Sequence, residues 1–170
     1  MNYWLIADTH FGHIKIVQYC NRPDNFNELL LENLKVIPDE DILIHLGDFA
    51  FWRDENINEY QKAFNNFNFK KILVKGNHDK KSDTWYMQNG WDFVCNSFTL
   101  KKFGFKLLFS HRPLKLQDNE YTNLFGHLHN NENFKWTKNK ILIAVEYTNY
   151  KPIQLDKVIQ MYQNKKLIKL

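Results

Sequence analysis

Polar side chains follow five short apolar segments of the chain, and their types and spacing are those of a metal site. They occur in order as Asp8-Thr9-His10, Gly47-Asp48, Gly76-Asn77-His78-Asp79, Ser110-His111-Arg112 and Gly126-His127-Leu128-His129. The side chains that offer nitrogen or oxygen ligands, with no thiolate among them, are Asp8, His10, Asp48, Asn77, His111, His127 and His129. This set is too large for one tetrahedral zinc ion and suits two metal ions. Each group alone is common in proteins, but the five together, in this order, indicate a metal site.

The ligand types indicate which metals suit such a site. A carboxylate can use both of its oxygens, so Asp48 is the natural bridge between two ions. Mixed imidazole and carboxylate ligands favour manganese, iron, zinc, nickel or cobalt over magnesium and calcium. We expect two divalent transition-metal ions, and manganese is the first candidate among them. His127 and His129 are two residues apart, so they point the same way in an extended segment, or toward different metals if a loop turns them.

The segments between these residues alternate between strand and helix patterns. Strands are predicted at 3–7, 42–46, 71–74, 93–94, 97–101, 105–109, 123–125 and 141–145, and helices at 26–36, 57–67, 84–89 and 155–162. Two or three βαβ units followed by a strand-rich half predict an α/β sandwich whose first sheet is largely parallel. Ligands bind beyond the carboxyl ends of the strands in such sheets, so the five polar groups are expected to meet at one edge.

Length and composition limit the class of protein. The chain has 170 residues, 44% hydrophobic and 25% charged, which predicts a single domain over 1–170 without a separate cap and excludes a disordered or coiled-coil chain. No membrane span or signal peptide is predicted, and two cysteines, Cys20 and Cys95, favour a reducing cytoplasm. The net charge of +4 weakly favours an anionic partner, although abundant lysine accounts for most of it.

The five groups together resemble the calcineurin-like metallophosphoesterase superfamily, in particular its small bacterial and phage-type members. The resemblance spans 8–129 and implies a four-layer α/β/β/α sandwich. One metal ion would be held by Asp8, His10, Asp48 and His129. The other would be held by Asp48, Asn77, His111 and His127.

The same resemblance implies how the remaining motif residues act. A hydroxide between the two ions would attack phosphorus in line with the leaving oxygen. His78 would protonate the leaving group, and Asp79 would orient His78. One position departs from the family pattern, because Phe51 stands where many relatives have an acidic residue three positions after Asp48. This departure argues against the Ser/Thr protein phosphatase branch.

A few basic residues near the motifs are candidates for substrate binding. Arg112 and Arg22 are predicted to contact the phosphate, because arginine binds phosphate through two N–H groups, and Arg53 is a weaker candidate. His13 is a further candidate for this contact. His45 alternates within its strand and is expected to be packed or to support a ligand.

The predicted function is hydrolysis of a small or nucleotide-derived phosphodiester, because an open cleft without a cap suits a phosphate with two substituents. Cyclic nucleotides and nucleic-acid ends fit this class, and a phosphomonoesterase with the same ligands is the close alternative. A catalytically silent protein-binding scaffold of the same fold is disfavoured by the complete ligand set. A nucleic-acid binder is disfavoured because the lysine pairs are scattered. A homo-oligomer is compatible with this reading, and no membrane partner is expected.

Overall fold

The computed structural model describes residues 1–51, 57–115, 120–131, 133–134, 137 and 139–164. The first half of the chain forms β1 (Tyr3–Ile6), α1 (Ile16–Cys20), α2 (Phe26–Leu34), β2 (Ile42–His45), α3 (Ile57–Asn65), β3 (Lys70–Val74), α4 (Asp83–Gln88) and β4 (Phe93–Cys95). The second half forms β5 (Ser97–Lys102), β6 (Phe105–Ser110), β7 (Tyr121–Phe125), β8 (Lys140–Leu142), β9 (Ile153–Gln154) and α5 (Leu155–Gln163).

The first sheet has the strand order β4-β3-β2-β1-β9. Strands β1 to β4 are parallel, and β9 pairs antiparallel with β1 at the edge. Three of these strands are buried along most of their length, as expected for a parallel sheet covered on both faces. Because β1, β2 and β3 run the same way, the loops that follow them leave the sheet at the same edge.

The second sheet has the order β5-β6-β7-β8. Strands β5 and β6 form an antiparallel hairpin, and β6, β7 and β8 are parallel. Apolar side chains of both sheets pack in one core cluster, which includes Leu5, Ile44, Val74, Leu107, Phe109 and Leu124. A second cluster joins the first sheet to the helices and includes Leu43, Leu73, Phe26, Leu30 and Phe64. The two sheets therefore pack face to face, and the first sheet is covered by helices on its other side.

The predicted mixed α/β class is confirmed. A helical layer on the outer face of the second sheet, as a four-layer sandwich requires, stays a prediction. None of the helices in the described part of the chain has the length and hydropathy of a membrane span.

The elements that differ from the sequence-based prediction are short. Helix α1 and strand β9 were not predicted, because five and two residues are too few to show a period. The strand predicted over 141–145 ends at Leu142. The backbone explains this end, because the carbonyl groups of Ala144 and Val145 accept hydrogen bonds from N–H groups three to five residues further on. These bonds form a turn and cannot continue a strand.

Candidate metal centre

The loops after β1, β2, β3, β6 and β7 meet at one edge of the two packed sheets. Backbone hydrogen bonds join them: the N–H of Asp8 donates to Gly47 O at 3.0 Å, and the N–H of Gly126 donates to His111 O at 3.0 Å. The predicted ligands are therefore brought together by loops whose backbones are bonded to one another.

The candidate ligands fall into two groups. The first group is Asp8, His10 and His129, and the second is Asp48, His111 and His127; within each group the ligand atoms all lie within 4.8 Å of one another. Asn77 adjoins the second group, with its Oδ1 3.2 Å from His111 Nε2. Each group forms part of one of the two ligand sets that the family resemblance implies, although the first group lacks Asp48. A further group, His10, Asp48 and His78, lies across the two.

Asp48 lies between the two groups. Its Oδ2 is 3.5 Å from His10 Nε2 and 3.3 Å from His111 Nε2. Its Oδ1 accepts a hydrogen bond from the backbone N–H of His78 at 2.7 Å. The single oxygen Oδ2 therefore faces a histidine from each group, while Oδ1 is engaged by the backbone of His78.

The surroundings of His10 test whether metal ions fit here. Neither ring nitrogen of this buried side chain has a hydrogen-bond partner among the described residues. A buried polar atom without a partner costs about 1–3 kcal/mol. Burial also lowers the pKa of His10 well below its ordinary value, so the ring is neutral and its nitrogen lone pair is available. The residues present therefore fit divalent ions.

The electrostatics of the metal-free site differ between the carboxylates. Burial raises the pKa of Asp8 to about 7. For Asp48 burial acts in the same direction, but the hydrogen bond and charge of His111 outweigh it and lower the pKa. For His129 burial is outweighed by hydrogen bonds with Cys20 and Glu146, which raise the pKa to about 10. Because metal ligands must be deprotonated, ion binding would release protons from Asp8 and His129.

Two glycines let the loops approach the carboxylates closely. A Cβ atom on Gly76 would lie 2.2 Å from Asp48 Oδ1, and a Cβ atom on Gly126 would lie 2.7 Å from Asp8 Oδ2. Real Cβ atoms do not approach this closely, so any larger residue would displace the carboxylate or the loop.

The backbone at the site is left-handed at an unusual number of positions. Positive φ angles of 46° to 72° occur at five candidate ligands, namely Asp8, His10, Asp48, His127 and His129. Such angles are uncommon outside glycine and cost of order 1 kcal/mol or more each. Surrounding hydrogen bonds hold these residues in place. For example, the backbone N–H of His127 donates to both carboxylate oxygens of Asp8 at 2.9 Å.

Asp79 occupies a different place from the one predicted. Its buried carboxylate accepts hydrogen bonds from three backbone N–H groups, those of Gly76 at 2.7 Å, Asp48 at 2.8 Å and Phe49 at 3.1 Å. Among the described contacts it makes no hydrogen bond to His78. We therefore revise its expected role, from orienting His78 to holding the loops after β2 and β3 together.

Arg22 also differs from expectation. Its side chain is fully buried and makes an ion pair with Glu146. The remaining guanidinium hydrogen bonds go to the backbone carbonyl groups of Asp8 and Thr9. All of these hydrogen bonds are made inside the protein, so the predicted contact between Arg22 and the substrate is wrong.

Other predicted residues line the open side of the site. Arg112 is exposed, with Nη2 3.3 Å from Asn77 Oδ1. The half-buried ring of His78 lies 5.1 Å from that of His10 between centroids. His13 stacks on Phe51 at 4.2 Å. The weaker candidate Arg53 lies outside the described residues.

Sequence reasoning missed Glu146 and left the role of His45 open. His45 is fully buried. Its Nδ1 accepts from the N–H of Gly47 at 3.1 Å, and its Nε2 lies 2.9 Å from Thr9 Oγ1, which donates to Phe49 O at 2.7 Å. Because the Thr9 proton is committed, Nε2 must be the protonated nitrogen, and the ring is neutral. His45 thus joins the loops after β1 and β2.

The chain belongs to the calcineurin-like phosphoesterase family, whose family model matches residues 1–164. Membership implies a phosphoester hydrolase that binds divalent metal ions.

Two relatives match nearly the whole chain. An uncharacterized protein of Methanocaldococcus jannaschii, MJ1445, is 28% identical over 182 residues, covering 98% of this chain and 94% of that protein. The crystal structure of AQ665, a protein of unknown function from Aquifex aeolicus, has a TM-score of 0.74 and 27% identity, covering 94% of this chain and 98% of that one.

A more distant solved structure shows the same fold. The Pseudomonas putida nuclease MPE has a TM-score of 0.50 and 24% identity, covering 75% of this chain and 61% of that chain. At this identity the likeness supports the fold alone.

Proposed function

We propose that the protein is a phosphodiesterase that uses two divalent ions, with manganese preferred. The observation that carries this proposal is the position of Asp48 Oδ2 between His10 Nε2 and His111 Nε2. One carboxylate that faces a histidine from each group supports a dinuclear centre, because a single-ion site does not require a ligand shared between two groups.

The proposed ligands follow the two groups. Asp8, His10, Asp48 and His129 would hold one ion. Asp48, Asn77, His111 and His127 would hold the other. When bound, divalent ions neutralise phosphate charge and lower the pKa of a coordinated water. The chain's own contribution is to fix these ligands in place, because their loops are bonded to one another before substrate arrives.

His78 is proposed as the proton donor to the leaving oxygen. Its ring lies next to His10 at the half-buried side of the site, so it can reach a phosphate bound at the two ligand groups. Its backbone is fixed by the hydrogen bond to Asp48 Oδ1. An imidazole is suited to donate a proton near neutral pH.

A groove beside the second group of ligands favours a diester over a monoester. The groove has a volume of about 360 Å³ and starts at Asn77 and His111. It continues past Arg112, Ser97 and Leu114. In a phosphomonoester the one substituent is the leaving group, which the proposed role of His78 places beside that residue and outside the groove. A diester has two, and we propose that the second one lies here, with the guanidinium of Arg112 near the phosphate.

The proposed single domain over 1–170 is supported by the arrangement of the site. Loops of the first sheet supply Asp8, Asp48 and Asn77, and loops of the second sheet supply His111 and His127. Neither half of the chain therefore carries a complete set of candidate ligands.

A substrate and variant panel tests the proposal. The wild-type protein is assayed with bis(p-nitrophenyl) phosphate and p-nitrophenyl phosphate in the presence of Mn²⁺, Ni²⁺, Co²⁺ or Zn²⁺. We expect metal-dependent turnover that favours the diester. His78→Ala and His78→Gln should keep the metal affinity of the wild type but lower kcat by about 10²–10⁴-fold, the usual contribution of general acid catalysis.

Each arm of this panel can contradict a different part of the proposal. Absence of turnover with every metal would refute the enzymatic function. Preference for the monoester would refute the phosphodiesterase assignment. Rates like the wild type's in both His78 variants would refute the proton-donor role alone.

A further inference from the structure

Glu146 lies directly behind the candidate ligand His129. Its Oε1 is 3.1 Å from His129 Nδ1, although the two residues belong to different segments of the chain. The carboxylate is only 5% exposed. It belongs to none of the sequence motifs that carry the other candidate ligands, so its position is known only from the fold.

Arg22 fixes this carboxylate. The Nε and Nη2 atoms of Arg22 both donate to Glu146 Oε1, at 3.0 and 2.6 Å. The same guanidinium donates to the carbonyl groups of Asp8 at 2.6 Å and Thr9 at 2.9 Å. One buried arginine therefore connects the loop that carries Asp8 to the carboxylate that contacts His129.

The chemistry of a metal-bound imidazole explains why this contact matters. An imidazole binds a metal through one nitrogen, and its other N–H needs an acceptor that fixes the ring and its tautomer. With Nδ1–H of His129 donating to Glu146, Nε2 is the nitrogen that would lose its proton and offer a lone pair when a metal ion binds. That lone pair is then available to the ligand group that His129 forms with Asp8 and His10.

We propose that Glu146, held by Arg22, is a positioning residue for the metal ion of the Asp8, His10 and His129 group. The inference rests on the proposed function, since it requires His129 to bind a metal. A competing arrangement is a separate metal site formed by Cys20, His129 and Glu146, whose ligand atoms also lie within 4.8 Å of one another. The positive charge of Arg22 at 2.6 Å from Glu146 Oε1 disfavours a cation there.

Titration of the metal-free protein with Co²⁺ tests the inference without reference to activity. We expect the wild type to bind two equivalents. Glu146→Ala should weaken one equivalent by about 10–100-fold, the usual effect of losing such a contact, and leave the other within about threefold. Glu146→Gln keeps the side-chain length and an acceptor oxygen, so its affinity for the weakened equivalent should lie between those of the wild type and Glu146→Ala. Glu32→Gln is the matched control at an exposed ion pair and should bind as the wild type does.

Arg22→Lys provides a second, independent variant. A lysine ammonium cannot make the four hydrogen bonds of the guanidinium. Arg22→Lys should therefore lower the affinity for the same equivalent of Co²⁺ as Glu146→Ala does. If Glu146→Ala fails to fold, as judged by circular dichroism without metal, the titration of Glu146→Gln decides the question.

Several results would overturn the inference. Unchanged affinity for both equivalents in Glu146→Ala and Glu146→Gln would show that the contact does not position a ligand. Equal weakening of both equivalents would show general damage to the site. A thiolate-to-Co²⁺ absorption band that disappears in Cys20→Ser would establish the competing site. Failure of the wild type to bind Co²⁺ is a distinct result, because it would refute the proposed dinuclear function itself.

Discussion

Replacing His45 by glutamine should remove a defined part of the protein's sensitivity to acid. Burial lowers the pKa of His45 to about 3, from an ordinary value of 6.5. Protonation would break the hydrogen bond that Nδ1 accepts from Gly47. The unfolded chain has no such restraint and takes up a proton near pH 6.5, so acid stabilises the unfolded state.

The size of the effect follows from linkage. The contribution of His45 is complete above pH 6.5 and is lost as the pH falls from 6.5 toward 3. Each pH unit in this window costs about 1.4 kcal/mol, so between pH 7 and pH 5 the free energy of unfolding should fall by about 2 kcal/mol through this residue alone. The result changes little for any folded-state pKa below about 4, because at pH 5 the folded protein is then almost entirely unprotonated at this position.

Urea unfolding followed by tryptophan fluorescence measures this contribution. The wild type and His45→Gln are compared at pH 7 and pH 5, in chelator so that metal binding does not contribute. Other titrating groups are shared by both proteins and largely cancel in the comparison. The difference between the two proteins should therefore shift by about 2 kcal/mol in favour of the variant at pH 5. If the free energies of unfolding of the two proteins changed with pH in parallel, within about 0.5 kcal/mol, the inference that His45 is buried in its neutral form would be refuted.

Three further results are expected. Gly76→Ala should abolish high-affinity metal binding and lower turnover at least about 100-fold, because its Cβ would lie 2.2 Å from Asp48 Oδ1. The control Gly104→Asn should keep both, because its Cβ would have no atom of the described residues within 4 Å, and normal Mn²⁺ affinity in Gly76→Ala would contradict the prediction. Ser97→Trp should fill the groove next to Asn77 and therefore raise KM for bis(p-nitrophenyl) phosphate about tenfold, with little change in KM for p-nitrophenyl phosphate. Equal effects on both esters would show that the second substituent of the diester lies elsewhere. Mn²⁺ at 100 times its Kd should raise the free energy of unfolding by about 2.7 kcal/mol. The affinity for Mn²⁺ should be lower at pH 6 than at pH 8, because Asp8 and His129 must lose protons to bind the ion. Calorimetry at the two pH values measures this affinity, and an affinity that rises in acid would contradict the prediction.

Much of the fold and of the candidate site was predictable because the information is local. Apolar segments of four to six residues indicated most of the strands, and each predicted ligand directly follows one of these strands or lies within four residues of its end. The order of parallel strands then brings these loops to one edge, so Asp8, Asp48 and His111 could be expected to meet before the structure was known.

Two kinds of contact could not be predicted from the sequence. One kind joins segments that are far apart in the chain, and the other replaces a contact that was expected between neighbouring residues. Arg22 and Glu146 are 124 residues apart, and neither has a neighbour in sequence that identifies its partner. The family resemblance implied that Asp79 orients His78, its neighbour in the chain. Its carboxylate instead caps backbone N–H groups of two loops, a role that depends on the angle at which those loops approach each other.

The left-handed backbone at five candidate ligands has a consequence for how such sequences change over time. Aspartate, asparagine and histidine are the non-glycine residues that enter this conformation most readily, and β-branched residues enter it least. At Asp8, Asp48 and His127 the loop therefore selects the same few residue types as the metal does. Substitution to glycine would keep the loop while removing a ligand. A descendant that loses its metals can thus retain the loop conformation and most of the motif's letters.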